Sequence, residues 1–388
     1  MNFLPFFVII AAGVLFSALF NKFHLPWVLA LIVSGMVIGP HGFEVLTVNQ
    51  TLLFMGEIGL IFLMFMAGLE VRLTGLRELR LEVARFAVVN GMVPALAGGL
   101  LGWVLGFGWL GSLLLGIIFM SSSVAVIVPT LEAGGILTHK LGKIVVAGTV
   151  IIDIASLVLL AIVLQVVKPL TGLPIPSFIL LLTIVVVGFR YALPRIRGLF
   201  PVRRDERDLF ESEVRIVLTM LFGTVITFAA LGLHPIVAGF FSGLILSDTI
   251  NSEILLEKLR TIGYGIFIPV FFVLVGAETN IGVFLESAVA VSVALAVLVA
   301  SLGSKFTSGF MAIRSIGFSV RDSVIAGVAT TPQLSTTLAV VLTAVELQLI
   351  PAALSGAMVL LAIVSTLTAP VVLRYLFDHP DALKRTAT

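Results

Sequence analysis

The sequence predicts an all-α, polytopic membrane protein that forms one transmembrane domain over residues 1–388. Hydrophobic residues make up 59% of the chain and charged residues 11%, whereas soluble proteins average about 45–50% and about 25%. Mean hydropathy is +1.21. The hydrophobic residues also form long runs, and a bilayer-spanning helix needs roughly 20 residues. This composition excludes an ordinary soluble domain, a disordered chain and a nucleic-acid-binding protein, and the absence of cysteine excludes disulfides and thiolate metal sites.

The hydrophobic runs are helical, because they are long and lack the two-residue alternation of a membrane β-barrel. The first run has no basic leader and no small-residue cleavage site, so we expect it to be retained as a span. Short polar breaks divide the runs into thirteen predicted spans, at residues 3–20, 25–40, 51–69, 83–108, 111–134, 142–167, 175–199, 213–232, 234–248, 261–277, 282–312, 320–346 and 352–376.

The distribution of basic residues supports this number of spans. With thirteen spans the loops alternate sides, and 21 of the 23 Lys and Arg residues fall on one side. The other side receives Lys168, and Lys305 lies inside a span. Since positively charged loops stay in the cytoplasm, we expect a cell-membrane protein, in a prokaryotic inner membrane, with its N-terminus outside and its C-terminus inside. The longest connection, 195–213, is typical of a solvated or interfacial linker, with a lipid-headgroup role as the alternative.

Thirteen spans also divide into two halves. Six spans, a linker helix at 175–199 and six further spans would place the second half upside down relative to the first. Inverted repeats of this kind are the build of many secondary transporters.

Two charged residues lie deep in predicted spans, where charge is costly and is a functional candidate by default. Asp153 lies midway along the sixth span, with no other acid or base within nine residues. Lys305 lies in the eleventh span, about two turns from its cytoplasmic end. The alternatives are a structural acid bonded to backbone and a lysine that snorkels to the interface.

Two other spans contain polar breaks at mid-depth. The fifth span carries Ser121, Ser122 and Ser123, and the twelfth carries Thr331, Pro332 and Gln333. Pro332 removes a backbone donor, and hydroxyl side chains can satisfy the freed groups. The breaks occupy corresponding positions in the two halves, and either alone could be an ordinary kink. Together they predict unwound oxygen ligands suited to Na⁺ or Li⁺, between half-helix ends of both signs.

Hydroxyl side chains near Asp153 extend this candidate site. Thr149 lies one helical turn before the carboxylate and Ser156 lies three residues after it, on the same face. Either hydroxyl could join a cation shell or bond a carbonyl of its own helix. A carboxylate holds a proton or a cation but not comfortably both, which is the minimal chemistry of cation/proton exchange.

Four motifs occur in order along nearly the whole chain. They are Phe-His-Leu-Pro…Gly-Met-Val-Ile-Gly-Pro at 23–40, Gly-Leu-Ile-Phe-Leu-Met-Phe-Met-Ala-Gly-Leu-Glu at 59–70, Ala-Gly-Phe-Phe-Ser-Gly-Leu-Ile-Leu at 238–246 and Ile-Pro-Val-Phe-Phe-Val-Leu-Val-Gly at 268–276. Jointly they resemble the sodium/proton exchanger family of the monovalent cation:proton antiporter superfamily, in its antiporter-2 branch.

The resemblance implies a thirteen-helix fold in which the broken helices five and twelve cross. It implies an ion-binding core at about 83–168 and 282–376 that moves like an elevator against scaffold helices at about 1–82 and 213–280, which form a homodimer. Asp153 then matches the family's ion-binding aspartate and holds Na⁺, Thr149 matches a hydroxyl ligand, and Lys305 matches the core base. Ser122 and Ser123 are expected near the ion, and Ser121 with residues 331–333 at the crossing.

The chain departs from the family at a position beside the acid. Members that move net charge carry a second Asp just before the ion-binding one, where this chain has Ile152. With one core acid we expect electroneutral, one-for-one exchange of Na⁺ (or Li⁺) for H⁺, without a cofactor, and the partner of Lys305 is left open. The alternative is K⁺/H⁺ exchange. We expect no enzyme, since aspartyl chemistry needs a second acid, and no channel, since broken helices suit occlusion better than a continuous pore.

Overall fold

The computed structural model describes residues 3–22, 27–70, 79–167, 174–199, 212–230, 235–247, 250, 252–280, 282, 287–346, 349–350 and 352–379. Most of the linker predicted at 195–213 and Lys168 lie outside these ranges. Within them the structure is helical and has no strand. The helices are α1 (Leu4–Lys22), α2 (Trp27–Ile38), α3 (Gln50–Glu70), α4 (Arg80–Val104), α5 (Gly108–Met120), α6 (Val124–Ala133), α7 (Lys140–Val167), α8 (Ile175–Leu199), α9 (Ser212–Ala230), α10 (Pro235–Ser247), α11 (Glu253–Ile262), α12 (Ile268–Glu278), α13 (Ala288–Ser315), α14 (Val320–Ala329), α15 (Ser335–Glu346) and α16 (Ala352–Asp378).

The helices have the length and surface of a polytopic membrane protein. In the described part of the chain, seven helical stretches are long and apolar enough to cross a bilayer, and four apolar helices are shorter. The long stretches are Gln50–Leu69, Arg80–Val104, Lys140–Val167, Ser212–Ala230, Glu253–Glu278, Ala288–Ser315 and Leu354–Asp378. Large apolar side chains such as Phe7, Trp103 and Val299 are exposed on the outer surface, which suits contact with lipid. The all-helical membrane class is therefore confirmed, and the number of thirteen spans stays a prediction.

Two predicted helix starts are wrong, and both observed starts have a capping serine. The tenth predicted span begins at Glu253, not at 261, because the Ser252 hydroxyl accepts a 3.3 Å hydrogen bond from the Leu255 N–H. That helix continues through a π-helical segment, Gly263–Phe267, into α12. The eleventh begins at Ala288, not at 282, where the Ser287 hydroxyl accepts from the Ala290 N–H at 3.2 Å. Each cap satisfies a backbone donor that has no partner within its helix.

The helices pack in two sets of close pairs. In the first set α2 packs on α1 and α12, and α3 packs on α10. The α2–α12 pair needs glycine, since a Cβ at Gly35 would lie 2.0 Å from the Val273 carbonyl oxygen and one at Gly276 2.0 Å from that of Ile32. In the second set α4 packs on α5, α7 and α13, and α13 also packs on α14 and α16. The second set carries both predicted buried charges.

Two helices of the second set are interrupted at the positions that the sequence predicts. Between α5 and α6 the chain is non-helical at 121–123, with extended torsions at Ser121 (φ −72°, ψ 154°) and Ser123 (φ −89°, ψ 101°). Between α14 and α15 residues 330–334 leave the helix. We call these segments the first break and the second break. They place short stretches of unpaired backbone inside an apolar protein, so their polar groups must find partners elsewhere.

Candidate functional site

The Asp153 carboxylate lies against the first break. Asp153 is on α7 and retains 7% of its surface exposed. Its Oδ1 accepts a hydrogen bond from the Ser121 hydroxyl at 2.9 Å and another from the Ser122 N–H at 3.3 Å. Both bonds end on Oδ1, so Oδ2 has no hydrogen-bond partner among the described residues. One carboxylate oxygen is therefore held, and the other is available to a ligand.

The two breaks contact each other. The Ser122 hydroxyl donates to the Thr330 carbonyl at 2.9 Å, and the Ser123 N–H donates to the Pro332 carbonyl at 2.7 Å. In return, the Gln333 side-chain amide donates to the Phe119 carbonyl near the end of α5 at 3.0 Å. These bonds satisfy backbone groups that the interrupted helices leave without intrahelical partners. Three hydrogen bonds thus join the second break to the first break and to the end of α5, and the crossing that the family resemblance implies stays a prediction.

Lys305 is fully buried on α13 and contacts the residue just before the first break. Its ammonium donates to the Met120 carbonyl at 2.5 Å and, more weakly, to the Asn90 carbonyl at 3.5 Å. No carboxylate of a described residue lies within 4.0 Å of it, Asp153 included. Met120 ends α5, where the helix dipole is negative, whereas the Ser122 N–H precedes the positive start of α6. The positively charged lysine therefore lies at the negative end of α5, and the negatively charged acid lies at the positive end of α6.

The remaining predicted site residues differ in what their side chains do. The Ser156 hydroxyl donates to the Asp153 carbonyl of its own helix at 2.8 Å, and the Thr331 hydroxyl donates to the Val328 carbonyl at 2.8 Å. In contrast, the hydroxyls of Thr149 and Ser123 are buried without a hydrogen-bond partner in the described structure. The Gln333 side-chain oxygen is likewise buried without a hydrogen-bond partner in the described structure. Buried polar atoms nearly always have partners, so these unpaired oxygens are candidates for binding a cation.

The structure adds two residues to the site that the sequence reasoning missed, Asn90 and Ser308. Asn90 on α4 is fully buried, and its side-chain amide donates to the Ser308 hydroxyl at 2.9 Å and to the Thr330 hydroxyl at 3.3 Å. Asn90 is a polar residue within a predicted span, and Pro94 follows it by four positions. That pairing of a polar residue with a proline is the signal that could have identified it.

Ile152 lies in an apolar environment beside the site. It is 2% exposed and packs with Ala87 and Met120. The family resemblance places the second acid of charge-moving members at this position. Here the described structure pairs Lys305 with backbone carbonyls instead.

Two interrupted helices that meet beside a buried acid are typical of secondary transporters, which place their binding sites at discontinuous helices. The family model for the transmembrane sodium/hydrogen exchanger matches residues 7–378. The chain therefore belongs to the sodium/hydrogen exchanger family.

Similarity to individual antiporters supports this assignment. The chain is 32% identical over 380 residues to the probable Na⁺/H⁺ antiporter 3 of Methanocaldococcus jannaschii, with 96% of each chain covered. It is 27% identical to the Na⁺/H⁺-K⁺ antiporter GerN of Bacillus cereus, with 92% of this chain and 91% of the relative covered. Its fold is similar to that of the sodium proton antiporter MjNhaP1 from M. jannaschii, with a TM-score of 0.68, 15% identity and 96% and 95% of the two chains covered.

Proposed function

We propose that the protein exchanges Na⁺ (or Li⁺) for H⁺ across the cell membrane, with the two ions competing for Asp153. The observation that carries this proposal is the buried carboxylate beside the contact between the two breaks. Two donors hold its Oδ1, and Oδ2 has no hydrogen-bond partner among the described residues. The name of a 32%-identical relative, a probable Na⁺/H⁺ antiporter, supports the same proposal.

The competition follows from the charge of the site. An ionised Asp153 binds a cation, and a protonated one binds none, so each ion displaces the other. The unpaired hydroxyls of Thr149 and Ser123 and the Gln333 side-chain oxygen would complete a shell of hard oxygen ligands. Lys305 supplies compensating positive charge at the end of α5.

The overall architecture and the transport movement are proposed from the resemblance to the family. We infer thirteen spans in two inverted halves, with a core at about 83–168 and 282–376 that moves like an elevator. The scaffold at about 1–82 and 213–280 would form a homodimer, and 175–199 would link the two halves. The packing of α4, α5, α7, α13, α14 and α16 as one set of neighbours supports such a core. The N-terminus is proposed outside and the C-terminus inside, from the basic loops.

Exchange in proteoliposomes tests the central role of Asp153. A pH-sensitive dye should report Na⁺-driven proton movement for the wild type, and Asp153→Asn should abolish it, because the amide keeps the shape but can neither ionise nor bind and release a proton near neutral pH. The matched control is Asp322→Asn, which changes a partly exposed acid in the first turn of α14 and should leave exchange intact. Exchange that persisted in the Asp153 variant would remove Asp153 from the mechanism.

Electroneutral exchange is the second part of the proposal. With one core acid, each Na⁺ replaces one H⁺ and no net charge moves. The rate of Na⁺/H⁺ exchange should therefore not respond to a membrane voltage imposed with potassium and valinomycin. A strong response to the voltage would show another stoichiometry.

K⁺ is the alternative transported cation, and the name of one relative supports this second candidate function. GerN is named as a Na⁺/H⁺-K⁺ antiporter. Hard oxygen ligands accept both ions, so selectivity depends on the size of the shell. Replacing Na⁺ by K⁺ in the liposome assay separates the two functions, and we expect the larger proton flux with Na⁺.

A further inference from the structure

Lys305 is held by main-chain carbonyls from two different helices. The Met120 carbonyl is free because α5 ends there, and it accepts the lysine ammonium at 2.5 Å. The next residue, Ser121, donates its hydroxyl to Asp153. The lysine and the acid are therefore bound to adjacent residues of the chain, yet they form no ion pair within 4.0 Å. Opposite charges so near each other in a low-dielectric interior attract strongly, so something must hold the ammonium in its place.

The second carbonyl that the ammonium contacts is free for a different reason. In a regular helix the Asn90 carbonyl would accept from the N–H of residue 94. Residue 94 is a proline inside α4, which has no N–H. The Asn90 carbonyl consequently lacks its intrahelical donor, and the Lys305 ammonium lies 3.5 Å from it. Pro94 thus leaves the Asn90 carbonyl available to the lysine without ending the helix.

The side chain of Asn90 fastens this part of α4 to the helix that carries the lysine. Its amide donates to Ser308, one turn after Lys305 on α13, at 2.9 Å, and lies 3.5 Å from the Lys305 carbonyl. It also reaches the Thr330 hydroxyl at the second break. The carbonyl and the amide of one residue therefore contact both ends of the same lysine, its ammonium and its backbone.

We propose that Asn90 and Pro94 are positioning residues that hold the Lys305 ammonium away from Asp153, in place of the second acid that this chain lacks. The inference rests on the proposed function and deepens it. An ammonium that reached the carboxylate would form an internal ion pair and compete with Na⁺ for the same oxygens. The carbonyl pair of Met120 and Asn90 prevents this, so Asp153 is free to exchange ions.

Replacement of the proline tests the positioning role directly. In Pro94→Ala the new N–H can bond the Asn90 carbonyl within α4, and alanine is a better helix former, so the fold should be retained. The lysine loses one acceptor and can approach Asp153. The half-saturating Na⁺ concentration, measured from the Na⁺-dependent rise in melting temperature of the purified full-length protein, should increase about tenfold, the factor expected for one hydrogen bond to a charged group. Pro370→Ala, which changes a proline inside α16 in the same way, should leave it unchanged.

A double-variant comparison separates this effect from a general loosening of α4. In a Lys305→Gln background no ammonium remains to compete, so Pro94→Ala should no longer alter the half-saturating Na⁺ concentration. An equal increase in both backgrounds would overturn the proposal, and so would an unchanged value in Pro94→Ala alone. If Pro94→Ala shows no cooperative melting, Asn90→Ala takes its place. Asn90→Ala should weaken Na⁺ binding only when Lys305 is present, and an unaltered value would overturn the proposal.

The wild type distinguishes failure of this inference from failure of the proposed function. If the wild-type protein shows neither Na⁺-dependent stabilisation nor Na⁺-driven proton movement, the proposed function is wrong and the positioning role is wrong with it. If the wild type responds to Na⁺ and the variants behave like the wild type, the positioning role alone is wrong.

Discussion

The two breaks interrupt their helices for different reasons. The second break contains Pro332, which cannot donate to the helix and forces an interruption. The first break consists of three serines and contains neither proline nor glycine. Serine tolerates a helix interior, so the local sequence does not require the chain to leave the helix at 121–123. The first break is instead stabilised by hydrogen bonds with Asp153, Thr330 and Pro332. The end of α5 just before it is stabilised by hydrogen bonds from Gln333 and Lys305.

The difference indicates that the first break depends on the site, whereas the second break is built into the chain. The first break gives donors to Asp153 through Ser121 and Ser122, and the second gives carbonyl acceptors to the first. The charges of the site therefore help to stabilise the backbone that surrounds them. Loss of one partner should affect the first break more than the second.

The largest effect is expected for Gln333→Leu, which removes the donor to the Phe119 carbonyl. Phe119 is buried, so its carbonyl would lose its partner in an apolar interior. We expect a loss of about 1–3 kcal/mol in unfolding free energy and a lower maximal exchange rate. Unfolding of the detergent-solubilised protein, together with dye-reported exchange in liposomes, measures both.

The control for this prediction is the neighbouring Thr331→Val. The Thr331 hydroxyl bonds a carbonyl of its own helix, so its removal leaves the contact between the two breaks intact. Equal losses of stability in the two variants would mean that the Gln333–Phe119 bond does not stabilise the first break.

A smaller and more specific effect is expected for Ser121→Ala compared with Ser122→Ala. The Ser121 hydroxyl donates to Asp153, whereas the Ser122 hydroxyl donates to the Thr330 carbonyl. Ser121→Ala removes a donor to the ionised carboxylate, so a proton competes better and the half-saturating Na⁺ concentration should rise up to about tenfold. The rise should be greatest at acidic pH, where protons are abundant, and should fade at alkaline pH.

Ser122→Ala should instead lower stability and leave Na⁺ binding nearly unchanged. It lowers stability by weakening the contact between the breaks, but the Ser122 N–H still donates to Asp153 and Na⁺ binding should change little. If both variants shifted Na⁺ binding alike at every pH, the two hydroxyls would not have separate roles.

The sequence predicted the elements that local chemistry determines. Long hydrophobic runs predict helices, Pro332 predicts an interruption, and a solitary acid in a span predicts a site. The sequence did not predict which group each serine would bond, because that depends on how α4, α7 and α13 are packed. The partners of Asn90 could not be predicted for the same reason, although Pro94 four residues later is a sequence signal for Asn90 itself.

The helix starts at Glu253 and Ala288 were missed for a more local reason. Hydrophobicity marks the apolar body of a span, whereas the start of a helix is determined by its cap. The first turns of α11 include Glu253 and Glu257, which lower the hydropathy of a segment that is nevertheless helical. The Ser252 and Ser287 caps are visible in the sequence, and giving caps more weight than hydropathy would have found both starts.

The smallest effect, and the sharpest test of the cation shell, is expected for Thr149→Val. The Thr149 hydroxyl is buried without a partner one turn from Asp153, so the isosteric valine breaks no hydrogen bond in the described structure. Removing an unsatisfied buried hydroxyl should leave stability unchanged or raise it by about 1 kcal/mol. If that hydroxyl binds Na⁺, the half-saturating Na⁺ concentration should nevertheless rise a few-fold. Ser156→Ala is the control, because its hydroxyl already bonds the Asp153 carbonyl of its own helix and should not affect Na⁺ binding. Stability that rises while Na⁺ affinity falls identifies a ligand, whereas a change in stability alone would leave Thr149 a packing residue.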